Sequence, residues 1–265
     1  MDFKKFYEEQ GDYAAFRGDP ERQAEYRLKA GWKVTNLCSL VPDGHSFANI
    51  LEIGCAMGIL LNELASKLGI RDLTGIDISE KNTQMARSLF PEAVFLTGTI
   101  EELSEGNAIA LTHSKYDLVV LSDIIEHIPD DLGFLMKVRR ISDYVLVNLP
   151  LEKSFSTRNR NYGESDPSGH LRAYDEAMAT DLFRSAGFEI VKSFTLNPAF
   201  DRECFDLYRS QRSKRIRNKP LLRRIFWMTF YKAEDLLRFN RKLYVKIKGA
   251  NYFAILRSLK EDQPR

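Results

Sequence analysis

The stretch Leu51-Glu52-Ile53-Gly54-Cys55-Ala56-Met57-Gly58 decides the fold class of this chain. An apolar run over 49–53 leads into it, and a helical pattern over 59–68 follows without a break. Small residues therefore stand where the backbone turns tightly from a strand into a helix and can approach a ligand closely. A second apolar run ends about twenty residues later at Asp77, where a carboxylate could bind a ribose diol. This spacing predicts a nucleoside-binding unit.

Apolar runs alternate with helical patterns along the rest of the chain, which predicts an α/β fold with a largely parallel sheet. The predicted strands are 49–53, 73–76, 93–96, 116–121, 144–149 and 188–196, with a seventh apolar run at 251–256. The predicted helices are 21–40, 59–68, 80–90, 130–140 and 174–186, the last ended by Gly187 in a left-handed conformation.

Composition excludes several classes of protein. With 265 residues, 44% hydrophobic and 29% charged, the chain is typical of a globular protein and not of a disordered one. No apolar run reaches the roughly 18–20 residues of a membrane span, and Met1 to Lys5 lack the apolar core of a signal peptide. Cys38, Cys55 and Cys204 include no Cys-x-x-Cys pair, so neither a disulfide framework nor a cysteine zinc site is expected. We expect a cytoplasmic protein.

Glu52 narrows the choice of nucleoside, because an acid just before the turn would repel a pyrophosphate but suits a ligand that carries an ammonium and a sulfonium. The residues of the turn resemble motif I of the class I S-adenosylmethionine-dependent methyltransferases, in the small-molecule branch of that family, with Ala56 in place of the middle glycine. The resemblance implies S-adenosylmethionine as the cofactor and S-adenosylhomocysteine as its product.

The resemblance extends over about residues 46–196 and implies the rest of the architecture. It implies a Rossmann-like seven-stranded sheet of order 3-2-1-4-5-7-6, with strand 7 antiparallel and helices on both faces. We expect an N-terminal helical cap over 1–45 and a methyltransferase domain over 46–260, with a basic insertion at about 199–248.

Two further motifs extend the implied cofactor site. Gly98-Thr99-Ile100-Glu101 matches the adenine-binding turn, although Thr99 stands where many members carry an aspartate; its hydroxyl can still accept one hydrogen bond. Residues 116–128 resemble motif IV followed by the Glu-His pair of the small-molecule branch. The expected cofactor-binding residues are Glu52, Gly54, Cys55, Ala56, Gly58, Asp77, Ile78, Thr99, Ile100 and Ser122.

Asp123, His127 and His170 are the candidate catalytic residues. The resemblance places His170 over the substrate cleft, where an imidazole could take a proton from a hydroxyl or amine; the alternative is a surface histidine near a helix start. Asp123, Glu126 and His127 also resemble a divalent-metal site of some O-methyltransferases and RNA 3′-end methyltransferases. We favour the alternative that Glu126-His127 begins the helix after strand four, and expect no metal.

The positive charge of the chain is concentrated in one segment. Residues 209–248 contain fourteen lysines and arginines against two acids, Glu234 and Asp235. The centre of the segment, 221–231, mixes arginines with aromatic residues. It could pack on the sheet or on a second subunit as a homodimer, contact an anionic membrane or a lipid-linked substrate, or bind a polynucleotide.

These observations predict methyl transfer to an oxygen or nitrogen of a small-molecule, sugar or lipid-linked substrate. Methylation of nucleic-acid bases is disfavoured, because Ser122 to Ile125 stand where such enzymes carry an Asn-Pro-Pro-Tyr-like turn. An RNA-directed methyltransferase that uses the basic insertion, and a catalytically silent methyltransferase-like binding scaffold, remain alternatives. An NAD-linked oxidoreductase is disfavoured by Glu52.

Overall fold

The computed structural model describes Lys5 and residues 19–100, Glu102, 111–163 and 165–259. Most of the expected cap before residue 19, and Glu101 of the expected adenine-binding turn, lie outside the described residues. The strands are β1 (Asn49–Ile53), β2 (Asp72–Asp77), β3 (Val94–Thr97), β4 (Tyr116–Ser122), β5 (Ser142–Leu151), β6 (Phe188–Leu196) and β7 (Ala250–Ser258). The helices are α1 (Pro20–Cys38), α2 (Ile59–Leu68), α3 (Glu80–Leu89), α4 (Asp131–Arg140), α5 (Glu176–Ser185), α6 (Arg202–Arg217), α7 (Leu221–Leu237) and α8 (Arg241–Lys248).

The seven strands form one sheet of order β3-β2-β1-β4-β5-β7-β6. Strands β1 to β5 pair in parallel, whereas β7 runs antiparallel to both β5 and β6. The predicted fold class and strand order are therefore confirmed. The strand order reverses between β1 and β4, so the connections from these strands lead to opposite faces and leave a crevice at their carboxyl ends.

The sheet carries apolar side chains on both faces, as the strand β4 shows. Leu118 and Val120 belong to the core on one face, whereas Val119 and Leu121 belong to the core on the other. A parallel strand that is buried on both faces reads as a continuous apolar run. The pattern of β4 thus requires helices on both sides of the sheet, which is what the structure has.

Helix α1 contributes to the core beside α2. Asp19 caps its first turn, since Oδ1 accepts from the backbone N–H of Glu21 at 2.9 Å, and Pro20 occupies the first helical position. Further along α1, Trp32 packs edge-on against Phe253 of β7, with ring centroids 5.3 Å apart. The division of the chain into a cap over 1–45 and a domain from 46 stays a prediction.

The basic segment folds as helices α6, α7 and α8 between β6 and β7, where the sequence places an insertion. Arg212 of α6 forms ion pairs with Glu234 at 2.9 Å and with Asp235 at 2.8 Å on α7. Lys248 at the end of α8 pairs with the same Glu234 at 2.6 Å. Glu234 and Asp235, the two acids of residues 209–248, are thus used within the insertion to hold its three helices together.

We predict that the contact between α1 and β7 contributes strongly to stability. Phe253 is fully buried between Trp32 and Phe194, so Phe253→Ala should lower the free energy of unfolding by about 3–5 kcal/mol in a denaturant titration. The matched control is Phe239→Ala, because Phe239 is 91% exposed and its loss should change stability by less than about 0.5 kcal/mol. Equal losses in the two variants would contradict this packing.

Candidate functional site

The turn between β1 and α2 adopts a left-handed backbone at three positions. The φ angles are +78° at Gly54, +45° at Ala56 and +72° at Gly58. A Cβ atom at Gly58 would lie 2.6 Å from the ring of Phe95, so only glycine fits there. The backbone N–H groups of Gly54 and Cys55 both donate to the carbonyl of Ile76, at 2.8 and 2.9 Å. This turn is therefore fastened to the end of β2.

Asp77 continues the same connection through its side chain. Its Oδ2 accepts from the backbone N–H of Ala56 at 2.8 Å, and its Oδ1 accepts from the backbone N–H of Ser79 at 2.9 Å. The Asn82 amide also donates to Oδ1, at 3.3 Å. The carboxylate thus holds both the glycine turn and the start of α3, while part of it reaches the cavity described next.

A cavity of about 380 Å³ opens at the carboxyl ends of the strands. It is lined by five of the expected cofactor-binding residues and two of the expected catalytic residues: Gly54, Asp77, Ile78, Thr99, Ile100, Asp123 and His127. The other expected cofactor-binding residues belong to the turn or to the ends of β1 and β4 and do not line it: Glu52, Cys55, Ala56, Gly58 and Ser122.

Sequence analysis missed part of this cavity wall. Asn82, Ile124, Phe134 and Lys137 also line the cavity. They lie on α3, on the turn after β4 and on α4, and a helical pattern alone does not show which side of a helix faces a ligand. Their position in the segments that directly follow strands β2 and β4 is the signal that could have found them.

Thr99 has a structural partner at the end of β3. Its backbone N–H donates to Oε2 of Glu102 at 3.0 Å, and its hydroxyl accepts from the backbone N–H of Glu102 at 3.3 Å. This reciprocal pair is the capping box that starts a helix. Whether Thr99 contacts an adenine stays a prediction.

Glu52 is a buried acid near the end of β1, just before the turn. The side chain is 3% exposed, and no described residue donates a hydrogen bond to its Oε2. Burial raises the pKa of Glu52 well above its usual value, whereas Lys33 lowers it. A buried carboxylate oxygen without a donor fits a cationic group nearby, which is the property that the family's cofactor offers through its ammonium and sulfonium.

Asp123 lies in a polar network at the ends of β4 and β5. It adopts a φ of +53°, and its carboxylate forms an ion pair with Lys33 of α1. The Asn148 side chain donates to Oδ1 of Asp123 at 2.8 Å, and the Asn251 side chain donates to Oδ1 of Asn148 at 2.7 Å. Sequence analysis did not find Lys33, because it lies ninety residues away from its partner.

The two candidate histidines lie against each other, with ring centroids 4.7 Å apart. His127 Nδ1 donates to the carbonyl of Gly169 at 2.9 Å, and His170 Nδ1 donates to Oε2 of Glu152 at 2.6 Å. Burial lowers the pKa of His127 to about 4, with His170 as the second cause. His127 is therefore neutral near pH 7.

The segment that carries Glu126 and His127 differs from the sequence-based expectation. It forms a 3₁₀ turn over Ile125–His127, and α4 begins only at Asp131. The expectation that this pair begins the helix after strand four is therefore wrong. The turn directs His127 to the cavity and leaves Glu126 almost wholly buried.

One protein-family model matches a stretch of the chain that contains both the glycine turn and most strands of the sheet. The model described as "Methyltransferase domain" matches residues 21–193, which is more than half of the chain. The chain belongs to this methyltransferase family. The match confirms the resemblance to the class I S-adenosylmethionine-dependent methyltransferases and supports S-adenosylmethionine as the cofactor. The insertion over about 199–248 lies beyond the matched residues.

Individual proteins agree with this assignment. The ubiquinone biosynthesis O-methyltransferase of Vibrio campbellii is 31% identical over 123 residues, which are 45% of this chain and 47% of that protein. The chain thus spans about half the length of the curated relatives it matches. Among solved structures, phosphoethanolamine N-methyltransferase 2 of Haemonchus contortus has a TM-score of 0.60 at 13% identity, covering 98% of this chain and 60% of that one. Magnesium protoporphyrin IX methyltransferase of Synechocystis PCC 6803 has a TM-score of 0.53 at 20% identity, covering 73% and 90%.

We predict that Asp77 is required for cofactor affinity. Asp77→Ala removes the carboxylate that orders the turn and leaves buried backbone N–H groups without an acceptor. The affinity for S-adenosylhomocysteine, measured by calorimetry, should fall about ten- to hundredfold, or roughly 1.5–3 kcal/mol. The matched control is Asp72→Ala at the exposed start of the same strand, which should bind as the wild type does. Wild-type affinity in Asp77→Ala would contradict the assignment of the ribose to this carboxylate.

Proposed function

We propose that this methyltransferase-family chain moves a methyl group from S-adenosylmethionine to an oxygen or nitrogen of a small-molecule, sugar or lipid-linked acceptor. The observation that carries the proposal is the cavity at the strand-order reversal, bounded by the Gly54 turn, Asp77 and Thr99. Ligands of open α/β sheets bind at this reversal. The resemblance of part of the chain to O-methyltransferases favours a hydroxyl as the acceptor group.

The residues of the turn and of the neighbouring strand ends bind and orient the cofactor. When bound, S-adenosylmethionine supplies a sulfonium methyl group, whose bond to sulfur breaks as a bond to the acceptor atom forms, while the acceptor loses its proton and S-adenosylhomocysteine leaves. Asp77 would hold the ribose hydroxyls, Glu52 would balance the positive charge, and Thr99 and Ile100 would border the adenine. Alignment of two reactants in this way contributes about 7–11 kcal/mol in favourable cases.

The acceptor lies on the side of the cavity that Asp123 and His127 line, with the ring of His170 packed against that of His127. Asp123 is held in place by Lys33 and Asn148, so it can position a hydroxyl or amine group without moving. The two imidazoles can direct the acceptor and handle its proton. We propose all three as catalytic residues.

We predict that ligand binding and methyl transfer separate the candidate functions. S-adenosylhomocysteine at a hundredfold excess over its dissociation constant should add about 2.7 kcal/mol to the free energy of unfolding, measured as a thermal shift. NADH and NADPH should give no shift, and a shift with either would favour an oxidoreductase. Transfer of a radiolabelled methyl group to a panel of hydroxyl and amine acceptors then distinguishes an enzyme from a binding scaffold.

The variant His170→Ala tests the catalytic role of this histidine in the same experiment. It should keep the thermal shift with S-adenosylhomocysteine, because His170 does not line the cofactor cavity, and should lower the rate of methyl transfer by about 10²–10⁴. Full transfer activity in this variant would contradict a catalytic role for His170.

We further propose that the insertion brings the chain to an anionic membrane surface. Helix α7 exposes apolar side chains next to its exposed arginines Arg223 and Arg224, among them Leu222, Phe226 and Phe230. Since Glu234 and Asp235 are paired within the insertion, the charge that it presents outward is basic. In the described part of the chain, no helix combines the length and apolarity needed to cross a membrane. Contact through an amphipathic helix fits both facts.

We predict that vesicle binding depends on these arginines. Arg223→Glu with Arg224→Glu should abolish pelleting with vesicles that contain anionic lipid, and salt should mimic the change as the Debye length falls from about 10 Å at 0.1 M to about 3 Å at 1 M. The matched control, Arg71→Glu with Arg140→Glu, makes the same charge change outside the insertion. Binding to RNA but not to vesicles would favour an RNA acceptor, and a monomer produced by Trp227→Ala from a dimer would favour a subunit contact.

A further inference from the structure

Glu126 is a buried acid that the proposed methyl transfer does not use. Its side chain is 1% exposed, and neither carboxylate oxygen accepts a hydrogen bond from a described residue. A carboxylate in such a place is costly unless a cation or a proton compensates it. The lysine beside it, Lys33, pairs with Asp123 instead.

Two imidazoles face this carboxylate. His127 Nε2 lies 3.8 Å from Oε1 of Glu126, and the His170 ring packs against the His127 ring. Each of the three side chains offers one possible metal-ligand atom, and these three atoms lie within 4.8 Å of one another. The chain brings them together from a 3₁₀ turn and a loop 43 residues further along.

The other nitrogen of each ring is already held in the way that metal-binding histidines are. His127 Nδ1 donates to the carbonyl of Gly169, and His170 Nδ1 donates to Glu152. Arg160 fixes Glu152 at 2.7 Å and is itself held by Asp166 at 2.6 Å. Histidine ligands almost always donate their second N–H to a carbonyl or carboxylate, which leaves Nε2 as the ligand atom.

We propose that Glu126, His127 and His170 bind a divalent first-row transition-metal ion. Two imidazoles and one carboxylate favour ions such as Zn²⁺ over Mg²⁺ or Ca²⁺, which prefer sites made of oxygen ligands alone. Bound ions of this class lie about 2.0–2.2 Å from nitrogen and oxygen ligands, so the three donor atoms, now within 4.8 Å of one another, would move closer together around the ion. This assignment replaces the expectation that the chain holds no metal.

Because His127 lines the cofactor cavity, the ion would lie at the acceptor side of the site. There it can bind the acceptor oxygen directly and lower the pKa of its hydroxyl, so that the proton passes to solvent water before the oxygen attacks the methyl carbon. This role rests on the proposed function, whereas binding of the ion does not. The two histidines then act on the acceptor as metal ligands.

The test is calorimetric titration of the full chain with Zn²⁺ alone, after removal of metal with a chelator. One ion should bind per chain, more tightly than Mg²⁺. Glu126→Gln and His170→Ala should each weaken Zn²⁺ affinity by more than a hundredfold, and Glu152→Gln, which removes only the support of His170, by about ten- to hundredfold. Loss of a metal ligand should thus weaken Zn²⁺ affinity more than loss of the residue that supports a ligand.

Two control variants exclude binding elsewhere. His113→Ala removes the histidine that pairs with Asp72 at 2.8 Å, and Cys38→Ser removes the one partly exposed thiol of the described residues. Both should bind Zn²⁺ as the wild type does. Should Glu126→Gln fail to fold, His170→Ala gives the same information, because that side chain is partly exposed.

A thermal shift with S-adenosylhomocysteine on the same samples separates this proposal from the proposed function. A normal shift in Glu126→Gln with loss of Zn²⁺ binding supports the metal site. Absence of Zn²⁺ binding to a wild-type chain that binds S-adenosylhomocysteine, or equal affinity in all variants, would overturn it. Zn²⁺ binding without a shift would support the metal site and count against the proposed function alone.

Discussion

Three consecutive backbone N–H groups of the turn after β1 are tied to the end of β2, and the site depends on this attachment. Gly54 and Cys55 donate to the carbonyl of Ile76, and Ala56 donates to the Asp77 carboxylate. Left-handed backbone at Gly54, Ala56 and Gly58 makes the sharp bend possible, and the hydrogen bonds hold it against its conformational cost. The bend fixes where α2 begins and keeps the carboxyl ends of the strands open as a cavity.

Burial of two acids is the second property that organises the site. Glu52 and Glu126 are almost fully buried, and no described residue donates a hydrogen bond to Oε2 of Glu52 or to either carboxylate oxygen of Glu126. Lys33 of α1, which lowers the pKa of both acids, is paired with Asp123. A site with this imbalance stabilises bound cations, since each one compensates a carboxylate that is otherwise costly to bury. The proposed sulfonium cofactor and the proposed metal ion are two consequences of the same constraint.

The sequence predicts the parts of this structure that depend on local pattern. Strands β1 and β6 have the predicted bounds, 49–53 and 188–196. These bounds could be predicted because an apolar run between two turns indicates a strand buried in the sheet. Asp77 could be found for the same reason, since it ends a strand at a fixed distance from the glycine turn. Lys33 and the contact of His170 with His127 could not, because they join segments far apart in the chain and depend on side-chain directions that no spacing encodes. The 3₁₀ turn at Ile125–His127 was missed because a helical pattern and a short turn look alike over three residues.

The central claim is that the cavity between the Gly54 turn, Asp77 and Thr99 holds S-adenosylmethionine. A crystal structure of the chain with S-adenosylhomocysteine tests it most directly. The account predicts electron density for the ligand in this cavity, with both ribose hydroxyls within hydrogen-bond distance of the Asp77 carboxylate and the adenine beside Thr99 and Ile100. An empty cavity at saturating ligand, or density for the ligand at another surface, would contradict it.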